Sequence, residues 1–171
     1  MIITKTITLY TFDALPTSKA KEAARNWWRE GNFEVETDAF KSICDDAERV
    51  GIRIITLDQH KANRGEFISP ASEVAETILR EHGKDCETYK TAEAFRKVKA
   101  DIDERTEVNG DVAQWEEDRE EAEKEFLASL LEDYRIMLEK EIDYQNSDEQ
   151  VDENLRCNEY TFTGNGKRED A

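Results

Sequence analysis

Two histidines, His60 and His82, and three cysteines, Cys44, Cys86 and Cys157, are the residues best suited to act as bases, nucleophiles or soft metal ligands. A serine, threonine or cysteine nucleophile needs a general base within hydrogen-bond reach, most often histidine. His60 lies in a polar connection, and His82 follows Glu81 at an expected helix end, a position where the helix dipole favours a histidine. No GxSxG elbow accompanies them, and no HExxH or CxxC spacing offers a metal site. The acidic stretch starting at Asp101 invites comparison with a calcium loop. It places Thr106 where that loop needs glycine and Val112 where it needs a closing glutamate. Gly164-Asn165-Gly166-Lys167 lacks the flanking strand and helix of a phosphate-cradling loop, so 164–171 reads as a frayed tail. Carboxylates are so numerous that a pair of them says nothing about acid–base catalysis. The expectation is a protein with no catalytic, cofactor-binding or metal-ligating residues, which is not an enzyme.

Charge and aromatic surface are what the sequence concentrates. Glu116, Glu117, Asp118, Glu120, Glu121, Glu123 and Glu125 crowd one stretch, answered only by Arg119 and Lys124. On a helix, carboxylates at i, i+3, i+4 and i+7 stack with about 5–6 Å between neighbours. That is comparable to the roughly 7 Å between phosphates along a DNA strand. Such a face could occupy a basic nucleic-acid channel; it could equally be a solvated surface with surplus charge. Trp27 and Trp28 are adjacent, about 100° apart around a helix, so both cannot enter one core stripe. One is expected to pack inward and the other to lie at the rim or on a contact surface, with Trp28 the residue assigned to partner contact.

These residues need elements to hold them. Ile2–Phe12 is rich in β-branched and aromatic residues and reads as a strand. Helices are expected at about 19–30, closed by Gly31, and at 38–50, closed by Gly51. A strand follows at Ile52–Leu57, and a short one at Glu66-Phe67-Ile68. After Pro70 the pattern is helical: 71–82, 91–105 and the long run 111–144. Trp115, Ala122, Phe126, Leu130, Tyr134, Met137 and Leu138 draw one stripe along that run, which serves as core or as a homodimer seam. A last helix, 148–157, precedes a strand at Tyr160–Thr163. The expected class is α+β: a small mixed or antiparallel sheet from N-terminal, middle and C-terminal strands, with a helix-rich acidic second half. One domain over 1–171, with an acidic helical sub-region at 86–147, accommodates these elements.

The chain of 171 residues is large enough to bury a core. Its net charge of −17 is uneven: residues 1–85 carry 12 Lys and Arg against 15 Asp and Glu, whereas 86–171 carry 12 against 26. The acidic half repels nucleic acid and anionic membranes and is drawn to a basic protein surface. Sparse, odd-numbered cysteines, no membrane-length apolar run and no signal-peptide pattern point to the cytoplasm.

Leu9-Tyr10-Thr11-Phe12-Asp13-x-Leu15, followed by Ala20-Lys21-x-x-Ala24-Arg25-x-Trp27-Trp28-Arg29-Glu30, resembles a group of small acidic proteins carried by bacteriophages and plasmids. Asp143-Tyr144-Gln145 and Asn158-Glu159-Tyr160-Thr161-Phe162-Thr163 are similar to that group's C-terminus. Its sequences are often labelled antitoxins of toxin–antitoxin stability systems. Where members carry an aromatic, Gly-rich segment after the second strand, Asp58–Phe67 has no tryptophan and one glycine. The resemblance carries no catalytic residues and implies a mobile-element gene expressed in a bacterial cytoplasm. With the charge asymmetry, it implies an inhibitor of a bacterial defence complex, of anti-CRISPR or anti-restriction type, acting by DNA mimicry. An antitoxin that wraps a protein toxin, and an accessory phage protein without inhibitory role, are the alternatives.

Overall fold

The computed structural model describes residues 6–31, 34–58 and 61–170. His60 and the first positions of the expected N-terminal strand lie outside them. The described residues form β1 (Leu9–Thr11), α1 (Ser18–Gly31), α2 (Glu34–Val50), β2 (Ile52–Thr56), β3 (Arg64–Phe67), α3 (Ala71–Glu81), α4 (Glu87–Asn109), α5 (Val112–Gln145), α6 (Asp148–Cys157) and β4 (Thr161–Thr163). The α+β class is as expected. The strands, however, make two antiparallel pairs, β1 with β4 and β2 with β3. The chain divides into two compact units, one of residues 1–39 and 140–171, the other of 40–139.

In the first unit β1 pairs with β4. Tyr10 lies opposite Phe162, with Leu9 opposite Thr163 and Thr11 opposite Thr161. β1 is shorter than the β-branched run implies because its partner offers only three residues before the chain turns at Gly164. The Thr17 hydroxyl accepts the Ala20 amide at 3.1 Å and caps the start of α1. Ser147 does the same for α6 through the Gln150 amide at 3.3 Å. Ala20 and Ala24 of α1 pack with Val151 and Leu155 of α6 around Phe12, Leu15 and Phe162. Arg25 clasps Asp152 through two hydrogen bonds of 2.6 and 2.8 Å, and one turn along Arg29 pairs with Asp148. The carboxyl of Asp152 is held below the usual range, chiefly by those bonds from Arg25.

Of the frayed tail expected at 164–171, the described residues 164–170 are instead folded back on this unit. Thr163 donates its amide to Lys167 O at 2.8 Å, Glu169 donates to Thr161 O at 3.0 Å, and Arg168 bridges to Phe162. The Arg168 guanidinium lies over the rings of Tyr160 and Trp27, at 5.0 and 5.4 Å. Gly166, at φ +84°, sits so close to α1 that a β-carbon there would stand 2.1 Å from Ala20 O.

The second unit is built on the hairpin of β2 and β3, with Ile52 opposite Phe67 and Arg53 opposite Glu66. Ile52 and Ile54 point inward and Arg53 outward, the alternation of a half-buried strand. In α3, Ala71, Val74, Ala75 and Ile78 recur at i, i+3, i+4 and i+7 and are all buried. The stripe read along α5 is core: Ala122, Phe126, Leu130 and Tyr134 are buried, with Trp115, Met137 and Leu138 packed against them. No helix of the described residues is long and apolar enough to cross a membrane.

Candidate protein-binding surface

The acidic stretch is positioned by a helical hairpin. α4 ends on Gly110, whose left-handed backbone (φ +69°) lets its amide return to Thr106 O at 2.8 Å. Asp111 then accepts the Gln114 amide at 3.1 Å and starts α5. The two helices run antiparallel. Phe95 stacks on Phe126 at 4.2 Å between ring centres, and Thr91 donates to Asp133 at 2.7 Å. Nearer the turn, Arg105 pairs with Asp118 at 3.4 Å.

The flanks of this hairpin differ. One is closed by a polar chain: Lys99 pairs with Asp103, Asp103 accepts the Trp115 indole N–H at 2.9 Å, Arg119 covers the Trp115 ring at 5.1 Å, and Arg119 pairs with Glu123. The indole hydrogen bond is the main reason the Asp103 carboxyl is held low, with Lys99 adding to it. The other flank is an open seam. Ala94 and Val98 of α4 face Ala122 and Glu125 of α5 across a cleft of about 190 Å³. It continues past Ile102 and Glu121 as a cleft of about 230 Å³, and along Asp101, Glu104 and Val108 as one of about 570 Å³. Val98 lines all three and is 46% exposed; Val108, near the turn, is 80% exposed.

The seven carboxylates read as one acidic face are distributed around α5. Asp118, Glu121 and Glu125 border the open seam. Glu123 belongs to the closed flank. Glu116, Glu117 and Glu120 are exposed away from the seam. Glu120 is bound by Lys124 at 2.8 Å, which lowers its pKa. Among the described residues, neither Glu116 nor Glu117 has an ion pair. The sequence reading missed the α4 contribution. Ala94, Val98, Asp101, Arg105 and Val108 recur every three or four residues, a helical stripe that a helix ending at Arg105 cuts short.

Trp28 belongs to the first unit. It is half-buried, and its ring tilts against Tyr160 at 5.9 Å, while Trp27 meets Tyr160 and Phe162 edge-on. An internal contact thus takes up part of the surface assigned to a partner.

His82 ends α3, as expected, but its ring turns inward. Its Nδ1 lies 2.8 Å from the Thr88 hydroxyl and its Nε2 3.5 Å from Asp46, which also accepts the Tyr134 phenol at 3.1 Å. Burial, with the adjacent Asp46 carboxylate, pushes the Tyr134 phenol well above its ordinary pKa. Arg49 balances this group by pairing with both Asp46 and Glu81. Each charge has an opposite partner, and the arrangement ties α2, α3, α4 and α5 together. Among the described residues no cluster of His, Cys, Asp and Glu has the arrangement to hold a metal ion. Compared with protein-family models, with curated proteins and with solved structures, the chain gives no match.

Proposed function

We propose that the protein is a non-catalytic inhibitor, carried by a phage or related mobile element, that binds a basic nucleic-acid-binding surface of a bacterial defence complex of CRISPR or restriction type. The observation carrying this reading is the charge of the hairpin. Residues 98–125 hold 12 carboxylates against four cations, and Glu116, Glu117 and Glu120 are presented outward from α5. Like charges this close destabilise a helix by a few tenths of a kcal/mol per pair. The cost is understandable if a cationic partner relieves it. A rigid helix holding carboxylates one turn apart offers a basic channel a series of anions without a nucleic acid's bases. No cofactor or metal enters this reading.

The test is capture from a bacterial lysate on immobilised protein, with elution by a salt gradient and identification of what elutes. The captured protein is then purified, and its nucleic-acid binding is measured with and without the inhibitor. A nucleic-acid-binding partner that leaves at moderate salt is expected, because exposed charges are screened over roughly 8–10 Å. The E117K/E120K/E121K triple variant should lose capture while keeping its helical circular dichroism. Unchanged capture by that variant refutes the mimicry. A second reading, an antitoxin wrapping a protein toxin, is favoured by the apolar lining of the open seam, and it predicts a small partner retained at high salt. A chain that captures neither partner is left as an accessory phage protein.

A further inference from the structure

We propose that the open seam between α4 and α5 is a docking groove for one cationic amphipathic helix of the partner protein. This deepens the binding reading above and rests on it. From Thr91 to Val108 the α4 side runs for about 26 Å at 1.5 Å per residue, the length of a helix of four to five turns. Two antiparallel helices with one flank sealed and the other grooved leave the place where a third helix completes a bundle. The floor is apolar and narrow. Ala94 and Ala122 are small enough to let another backbone approach, while Val98 offers branched surface over the buried Phe95.

The rim selects the charge. Asp101, Glu104, Asp118, Glu121 and Glu125 line the clefts against one cation, Arg105, and Arg105 is engaged by Asp118. A neutral amphipathic helix would leave Asp101, Glu104, Glu121 and Glu125 partly desolvated without a cation to meet them, which is costly. A helix with small or branched apolar residues at i, i+3, i+4 and i+7 and Lys or Arg on both shoulders satisfies floor and rim together. A second copy of this chain is a poor occupant, because its own net charge of −17 brings carboxylates against carboxylates. Simple nucleic-acid mimicry uses the outward carboxylates and needs no apolar floor. The two modes of binding therefore predict opposite results for one substitution.

The probe is a fluorescein-labelled 21-residue synthetic peptide with leucine at i, i+3, i+4 and i+7 and lysine at the shoulders. The control has the same lysines and serine in place of every leucine. Binding is read by fluorescence anisotropy, and the site by methyl NMR shifts of Val98, Ala94 and Ala122. The groove predicts that the leucine peptide binds at least tenfold more tightly than the control and shifts those methyls. It also predicts that V98D, which adds an attractive negative charge but spoils the floor, weakens binding at least tenfold. E116K/E117K should change it less than threefold. Val98 is half in water, so V98D is expected to fold; E121K/E125K supplies an independent loss through the rim. If both peptides bind alike and V98D binds as well or better, the groove is wrong and the acidic surface survives alone. If neither peptide binds, the groove and the cationic-partner reading both fall.

Discussion

Gly166→Ala should destabilise the first unit by more than its backbone conformation alone can explain. Gly110 and Gly166 both have positive φ, +69° and +84°, so alanine at either incurs the left-handed penalty of roughly 1–2 kcal/mol. Each change also stiffens the unfolded chain, which offsets about 0.4–1 kcal/mol. The two sites differ in what a β-carbon would meet. At Gly110 nothing lies within 4 Å, whereas at Gly166 the Ala20 carbonyl oxygen would be 2.1 Å away and its carbon 2.9 Å away. Those atoms belong to the α1 backbone and cannot rotate aside, so overpacking adds about 1–3 kcal/mol. The loss is bounded by the free energy with which 164–170 docks, because that segment can lift away instead. G110A should therefore cost about 1 kcal/mol, and G166A about 2–4 kcal/mol. If the segment lifts, protection of the Thr163 and Glu169 amides, which donate to Lys167 O and Thr161 O, should vanish. Urea unfolding by tryptophan fluorescence, with hydrogen exchange at those two amides, measures both effects. Equal losses in the two variants, with Thr163 and Glu169 as protected in G166A as in the parent, would refute the docking of this segment on α1.

Two carboxylates should respond to pH with opposite sign. Asp152 has a folded-state pKa below its unfolded value because Arg25 hydrogen-bonds it. Its contribution is fully present above about pH 4 and is lost as pH falls through the lower, folded pKa. Asp152→Asn should cost about 1–3 kcal/mol at pH 7 and much less once the parent's carboxyl is protonated, read from urea midpoints between pH 2 and 7. Asp133 has its folded-state pKa raised, chiefly by burial, although Thr91 donates to it. Its contribution is present below the unfolded pKa and is lost as pH rises through the higher, folded one. Asp133→Asn keeps an acceptor for Thr91 and should raise stability at pH 7 by roughly 0.5–1 kcal/mol. A loss there, in the same urea series, would show that the ionised carboxylate is needed.

The elements that could be read from sequence are those whose own residues state the period and the boundary. α3 shows i, i+3, i+4, i+7 apolar spacing after Pro70, and α6 begins at a serine cap, so both appear close to their expected limits. β1 could not be bounded in this way. How much of a β-branched run becomes strand depends on its partner's length, and β4 supplies three residues from the other end of the chain. The tail was hidden for a similar reason. Its glycines and charges look solvated until Arg168 finds the rings of Trp27 and Tyr160. The same dependence on long-range partners turns the ring of His82, legible only as standing at a helix end, inward between Thr88 and Asp46. On α5 the carboxylates were legible, but their division was not. Only the position of α4 decides that Asp118, Glu121 and Glu125 border a seam, Glu123 closes the opposite flank, and Glu116, Glu117 and Glu120 face away. A charge count therefore identifies an acidic surface, and only the position of α4 shows that the half-exposed Val98 stands among those charges.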